Sequence, residues 1–325
     1  MASLFLFNPE NDLALANGTA NYTPPAAARK IKDSGALLPM WLAQPGDFIL
    51  APAEKEETAA MLREKYNLQT KIFTPADIPL IDRCVPWGWS AHAVRTFTKV
   101  GIDSSFLPDE STIETYRNLS HRRTSIAILE SLGFTLLPVE AHTTQQALSA
   151  FEAFGENVFI KFPWSCSGRG VFECRNDRNR IEKVANDSIA KQGSVIIEYA
   201  HEKITDFAML FHCAGGVAGF HALSYFGTYG HGDYSGNMVA PQNEIARKIG
   251  LPQAELDKLA SRLEKSLTDI VAHKYSGPVG IDMMIAHTPA GLKIIPCIEM
   301  NLRYTMGFIA SAMAERGAES GWLRI

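Results

Sequence analysis

Apolar and polar positions along the chain fall into short blocks whose period switches between two and about 3.6 residues. SLFLF at 3–7, ALLPMWLA at 36–43 and DFILAPA at 47–53 are short apolar runs that predict buried strands. AEKEETAAMLREKY at 53–66 has a helical period, with Ala59, Met61 and Leu62 on its apolar side. CVPWGWS at 84–90 interrupts the alternation, and the helical AHAVRTFTKVG follows it. Strands that alternate with helices predict a parallel α/β layer for this part of the chain.

Beyond it, Ser120 reads as the N-cap of a helix through ILESL that stops at Gly133, followed by a strand in FTLLPVE. Thr143 or Thr144 can cap the next helix, whose apolar positions are Leu148, Phe151 and Phe154 and whose end is Gly155. NVFIKF and GVFEC read as strands on either side of a small-residue loop, and a polar helix near 177–191 leads to the strand SVIIEYA. The long alternating stretch FAMLFHCAGGVAGFHALSYFG predicts antiparallel strands joined at Gly215-Gly216. A helix from Pro252 to Gly277 carries Leu256, Leu259, Leu263, Leu267 and Ile270 on one face. VGIDMMIA, the turn HTPAG and LKIIPCIEMNLR then form a hairpin. The most plausible junction between domains lies at 100–119, and no internal repeat or low-complexity segment is present.

Composition narrows the class without changing this outline. The 325 residues are 46% hydrophobic, ample for a sizeable core. A formal charge of −4, with no basic run longer than Arg122-Arg123, argues against nucleic acid as a partner. MASLFLFNPEND has no signal-peptide pattern and no apolar stretch approaches the roughly 18 residues of a membrane span, so a cytoplasmic protein is expected, with no membrane partner. Five cysteines without a CxxC pair indicate neither a disulfide framework nor a thiolate zinc site. The nine scattered histidines contain no HExxH; His212, His221 and His231 read as packing and turn residues.

Three segments carry candidate chemistry. In CIEMNLRYTMG, Glu299, Asn301 and Arg303 alternate with apolar residues, so all three share one face of a strand. Folding the last hairpin on HTPAG brings Asp282 opposite 297–299, which makes Asp282 and Glu299 cross-strand neighbours. Adjacent carboxylates repel unless a cation lies between them; two carboxylates and the amide of Asn301 suit Mg²⁺. A solvated strand face is the competing reading, but the flanking residues are too apolar for one. In FIKFPWSCSGRGVF, Lys161 ends a strand and Ser165, Cys166, Ser167, Gly168, Arg169 and Gly170 form a turn whose N–H groups can wrap phosphate, although a hairpin turn needs the same residue types and no Walker A motif is present. In SVIIEYA, Glu198 and Tyr199 are candidates for a hinge against a base edge, or simply the end of a strand.

Taken in order, these elements resemble the ATP-grasp superfamily over roughly residues 119–310, the specific part being ExNxR after a GxD strand. The resemblance implies an α/β class (α+β overall), an N-terminal Rossmann-like pre-ATP-grasp domain at 1–118, and an ATP-grasp domain at 119–325 with a lid at about 119–197 and a C-terminal subdomain at about 198–325. It implies ATP as cofactor with Mg, or Mn in its place, held by Asp282, Glu299 and Asn301. Nucleotide contacts would come from Arg122 (or Arg123, with Arg122 fitting the spacing better, where the family usually has lysine), Lys161, Ser165, Ser167, Gly168, Arg169, Glu198, the backbone of Tyr199 and Ala200, and Asp206 on the ribose. Arg303 and Lys161 would act on the reacting group. The activity implied is a ligase that activates a carboxylate as an acyl phosphate for attack by an amine, or less often a thiol or hydroxyl, with small-molecule or peptide substrates and a homodimer left open. A small-molecule kinase and a non-catalytic nucleotide-binding module are the alternatives. Asn8, Glu10, Asn11 and Asp12 of NPENDLALANG, Trp87 and Trp89 of PWGWS, and HGDYSGN at 231–237 are candidates to reach an acceptor, with capping, turn chemistry and packing as the competing readings.

Overall fold

The computed structural model describes residues 2–165, 170–229, 233–288 and 291–324. Its chain divides into two compact units: Met1–Asn118 with Gly236–Ile245 and Arg303–Ile325, and Leu119–Ser235 with Ala246–Leu302. Among the described residues no helix is long and apolar enough to cross a membrane.

In the first unit, strands β1 (Ala2–Leu6), β2 (Phe48–Ile49), β3 (Lys71–Ile72) and β4 (Ile81–Pro86) form a parallel sheet in the order β3-β2-β1-β4. The unbroken apolar run at the N-terminus is a consequence of burial on both faces. Leu4 and Leu6 join one core with Phe48, Phe97 and Ile102, while Phe5 and Phe7 join a second with Trp41, Ile49 and Trp87. That second core also contains Ile309, from the last segment of the chain.

The second unit holds two antiparallel sheets. β5 (Val139–Ala141), β6 (Asn157–Lys161), β7 (Val171–Arg175) and β8 (Val195–Tyr199) pair in the order β5-β8-β6-β7. Val158, Ile160, Val195 and Ile197 share a core with Phe151 of the helix Thr144–Ala153 and Ile181 of the helix Arg178–Gln192. Thr143 caps the first of these helices in a capping box with Gln146. Lys161 and Glu198 lie on the face of the sheet away from those helices. In the larger sheet, β9 (Glu202–Ala214) and β10 (Val217–Tyr229) form a hairpin on Gly215 and Gly216, both with positive φ (58° and 79°) as a two-residue turn of this hand requires. β11 (Asp233–Val239) carries the chain into the first unit, where its end pairs with Gly321–Leu323. β12 (Gly277–Thr288) then pairs with β9 on one side and with β13 (Gly291–Asn301) on the other. β14 is Gly321–Leu323.

Several expectations need correction. ALLPMWLA is not a strand: Leu38–Trp41 is a 3₁₀ turn that begins with Pro39 near its start, where a missing N–H costs nothing, and its apolar residues are core because Met40 and Trp41 are buried. CVPWGWS does not interrupt the sheet, since Cys84, Val85 and Pro86 end β4 and the Trp87 N–H still reaches the Leu6 carbonyl at 2.7 Å. The helix expected from Ser120 starts at Arg123, with Arg122 as its N-cap, and of FTLLPVE only Val139 and Glu140 are in a strand, Val139–Ala141. The helix from Gln253 is α-helical to Leu267 and then widens into a π turn over Thr268–Ala272. Met61 is 58% exposed, leaving Ala59 and Leu62 as the buried side of its helix.

NPENDLALANG forms a short helix, Asn11–Asn17, that ends at Gly18 with φ of 73°. Asn8, almost fully buried, accepts from the Trp87 N–H at 2.9 Å and donates to the Gly88 carbonyl at 2.8 Å. This brings PWGWS so close that a Cβ on Gly88 would lie 2.4 Å from the Asn11 amide and 3.0 Å from Arg303 Cβ. Gly88→Ala is therefore expected to destabilise the protein by about 1–3 kcal/mol through overpacking, measured as a lower denaturant midpoint at unchanged m-value.

Candidate active site

β12 and β13 pair so that Asp282 stands directly opposite Glu299 and Gly280 opposite Asn301, after which the register shifts and Met284 faces Ile295. Asp282, Glu299 and Asn301 thus share one face. Asn301 turns its amide nitrogen to Asp282 Oδ2 at 3.0 Å, which directs its carbonyl oxygen away from that carboxylate. Among the described residues no group of three or more His, Cys, Asp or Glu side chains is gathered for a metal, so the oxygen donors here are two carboxylates and one amide. That hard-oxygen set fits Mg²⁺, which is held through one or two carboxylates and shares its remaining positions with water and phosphate.

The negative charge is answered by Arg122. As the N-cap of Arg123–Ser131, it sends Nη2 to Glu299 Oε1 at 2.9 Å and to Ser165 Oγ at 2.8 Å, while Nε donates to the Phe162 carbonyl at 3.0 Å. Its remaining nitrogen, Nη1, is buried without a hydrogen-bond partner among the described residues. A buried guanidinium N–H left open in this way is a strong site for an anionic oxygen. The same helix fixes β13, since Ser125 Oγ accepts from the Met300 N–H at 3.1 Å.

On the neighbouring small sheet, Lys161 ends β6 and forms an ion pair with Glu198 of β8. Both are well shielded, with side-chain exposures of 6% and 13%. Cys297 lies among these charges. Burial first, then Asp282 and Glu299, push its thiol up to about 12. Asp206, two residues from the Ala208 that pairs with Asp282, shares the face of the acids and accepts from Lys203 Nζ at 2.6 Å and Thr228 Oγ1 at 2.8 Å.

The strand-end segment after β8 is more constrained than its sequence suggests. Ala200 donates its N–H to the Asn157 carbonyl at 3.0 Å and accepts from the Asn157 amide at 3.1 Å, and the Tyr199 carbonyl accepts from the His201 N–H at 3.1 Å. A base edge would have to share these backbone groups. Of the phosphate loop, Ser165 is described and bonded to Arg122, whereas Ser167, Gly168 and Arg169 lie outside the described residues, as does His231 of HGDYSGN.

Arg303 belongs to the first unit. Its Nε and Nη2 both reach Asp12 Oδ2 at 2.8 Å, and Nη1 donates to the Tyr304 carbonyl at 3.1 Å. The acid that holds it stands 291 positions earlier in the chain, a pairing that no local pattern signals. Glu10, in the same NPEND segment, is fully buried and paired with Lys32 at 3.2 Å, so it does not face solvent. Sequence reasoning also missed Asn157 and Ser125. Each acts through the backbone of a distant strand, and neither lies in a motif.

No family model and no curated protein matches the sequence. The fold does have solved counterparts. N5-carboxyaminoimidazole synthetase from Staphylococcus aureus is similar at a TM-score of 0.52 and 11% identity, with 98% of this chain and 78% of that one covered. Biotin carboxylase from Campylobacter jejuni, solved with β,γ-ATP, is similar at 0.55 and 14%, covering 98% and 71%. D-alanyl-alanine synthetase A from Vibrio cholerae O1 biovar eltor is similar at 0.51 and 14%, covering 92% and 88%. A parallel sheet joined to two antiparallel ones, in a chain similar along nearly its whole length to these enzymes, is the ATP-grasp fold.

Proposed function

We propose that the chain is an ATP- and Mg-dependent ligase that activates a carboxylate as an acyl phosphate and joins it to an amine. The observation that carries this reading is the facing pair Asp282 and Glu299, kept at one register by β12 and β13 and partnered by a buried Arg122 with one guanidinium nitrogen still open. The solved counterparts support the reaction class, since those named above are two synthetases and a carboxylase.

Arg122 and Lys161 bind phosphate oxygens, Arg122 through its open Nη1 and Lys161 by giving up part of its ion pair with Glu198. Asp282, Glu299 and Asn301 would hold the metal, which when bound would supply charge neutralisation for phosphoryl transfer. Glu198, with Tyr199, Ala200 and Asp206, orients the nucleoside. Ser165, with Ser167, Gly168 and Arg169 by resemblance to the family, would contact the phosphates. The substrate carboxylate attacks the γ-phosphorus, ADP leaves, and the amine then displaces phosphate from the acyl carbon, so no side-chain nucleophile is needed. Arg303, oriented by Asp12, supports the reacting acyl group. The unit beginning at Met1 binds the acceptor.

Glu299→Gln keeps the shape of the side chain and removes one metal-facing charge. Calorimetry should register Mg-dependent ATP binding in the natural protein and weakening of about tenfold or more in this variant. Unchanged binding would remove the metal assignment. Arg122→Lys keeps the charge but loses the fork, and ATP affinity should fall by roughly tenfold because one ammonium cannot serve Glu299, Ser165 and phosphate together. With a substrate carboxylate, ATP and hydroxylamine, a hydroxamate should form; ADP without hydroxamate would instead identify a kinase.

A further inference from the structure

On the second unit's large sheet, away from the metal-facing acids, lies a cleft of about 870 Å³, within the size range of small-molecule sites. Ile285 is on the face opposite Asp282, because the two are three residues apart in β12. Its partners Thr205 and Ile294 continue that face across β9 and β13, and together with Tyr225 they form the floor of the cleft. Phe134, Leu251, Leu259 and Pro296 supply apolar walls. The rim is of a different character. Lys248, Lys258, Arg262 and Lys293 line it against a single acid, Glu255, although the chain as a whole carries a charge of −4.

These cations are not consumed by internal ion pairing. Among the described residues Lys258 and Lys293 make no ion pair, Lys248 sits over the Tyr225 ring at 5.5 Å, and Arg262 donates to the Leu132 carbonyl. Two large apolar side chains at the mouth, Ile204 and Leu292, are 48% and 62% exposed. An apolar floor beneath a cationic rim complements a molecule with an apolar body and a negative head. The floor has little with which to read a nucleobase, because Thr205 directs its hydroxyl to Tyr225 at 3.1 Å. The one arginine of the rim spends Nη2 on the Leu132 carbonyl, and the other rim cations are lysines, point charges that suit a carboxylate head.

We propose that this cleft is a second ligand site that binds a single-chain fatty carboxylate, its tail on Ile285, Ile294 and Phe134 and its head among Lys258, Lys293 and Lys248. Because the floor is on the other face of the sheet from Asp282 and Glu299, the bound carboxylate is an effector and not the acid that would react.

The test is calorimetric titration of the whole chain with dodecanoate below its micelle concentration, beside dodecyltrimethylammonium and dodecyl phosphate. The double variant Lys258→Glu/Lys293→Glu serves as control; both positions are exposed, so folding should be preserved. One dodecanoate per chain is expected, with the charge reversal weakening it about tenfold and the cationic amphiphile failing to bind. Absence of dodecanoate binding overturns the proposal, as does binding that ignores the charge reversal or the sign of the head group, which would mark non-specific adsorption. Markedly tighter binding of dodecyl phosphate would overturn the carboxylate assignment.

Discussion

Two carboxylates held face to face on adjacent strands are a source of repulsion, and much of the second unit is arranged around that constraint. Asp282 and Glu299 are opposite one another by register, so neither can move away without shifting β12 against β13. The register shift between Asp282 and Met284 lies immediately beyond them, and the ladder resumes at Met284 opposite Ile295. Two local answers to the repulsion are present: the Asn301 amide on Asp282 and the Arg122 guanidinium on Glu299. The first is a hydrogen bond from a neutral amide and the second an ion pair, and the contact to Glu299 is made through Oε1.

Arg122 also couples elements distant in sequence. It joins the start of a helix to the Phe162 carbonyl, Ser165 and Glu299, so the glycine-containing loop and the acidic strand meet at one side chain. A lysine would offer a point charge to the same surroundings; arginine offers a planar fork that can hold all three and still present Nη1. The Lys161–Glu198 pair repeats the arrangement on the small sheet. Both cations therefore rest beside a carboxylate and are not bare charges.

Strands β6 to β10, β12 and β13 were legible because each is a short alternating or continuous apolar run, whereas β11, in the polar stretch TYGHGDYSGN, reads as turn and is extended from Asp233 to Val239. In the second unit Gly155 and Gly215-Gly216 mark ends of elements, and Thr143 marks a start. The acids were legible for the same reason, as period-two positions in a hairpin. Where proline meets a buried apolar stretch the signal is ambiguous. Pro39 starts a 3₁₀ turn inside a run that looks extended, and Pro86 ends a strand that looks broken. Partners set by tertiary contact leave no trace in local pattern: Asp12 holds Arg303, Ser125 holds Met300, and Asn157 holds Ala200. The two orders of information differ physically, one arising from neighbours along the backbone and the other from neighbours in space.

The first unit gathers residues from both ends of the chain. Its second core packs Phe5, Trp41 and Trp87 with Ile309, and partly buried Tyr304, Met306 and Ala312 join them. During synthesis the leading 118 residues leave the ribosome long before those last apolar groups exist, whereas every segment of the second unit has been translated by Leu302. At roughly 5–20 residues per second, the nascent N-terminal sheet waits on the order of ten seconds or more with one apolar face incomplete. Order of translation is thus opposed to order of completion, and the domain begun first is the one finished last.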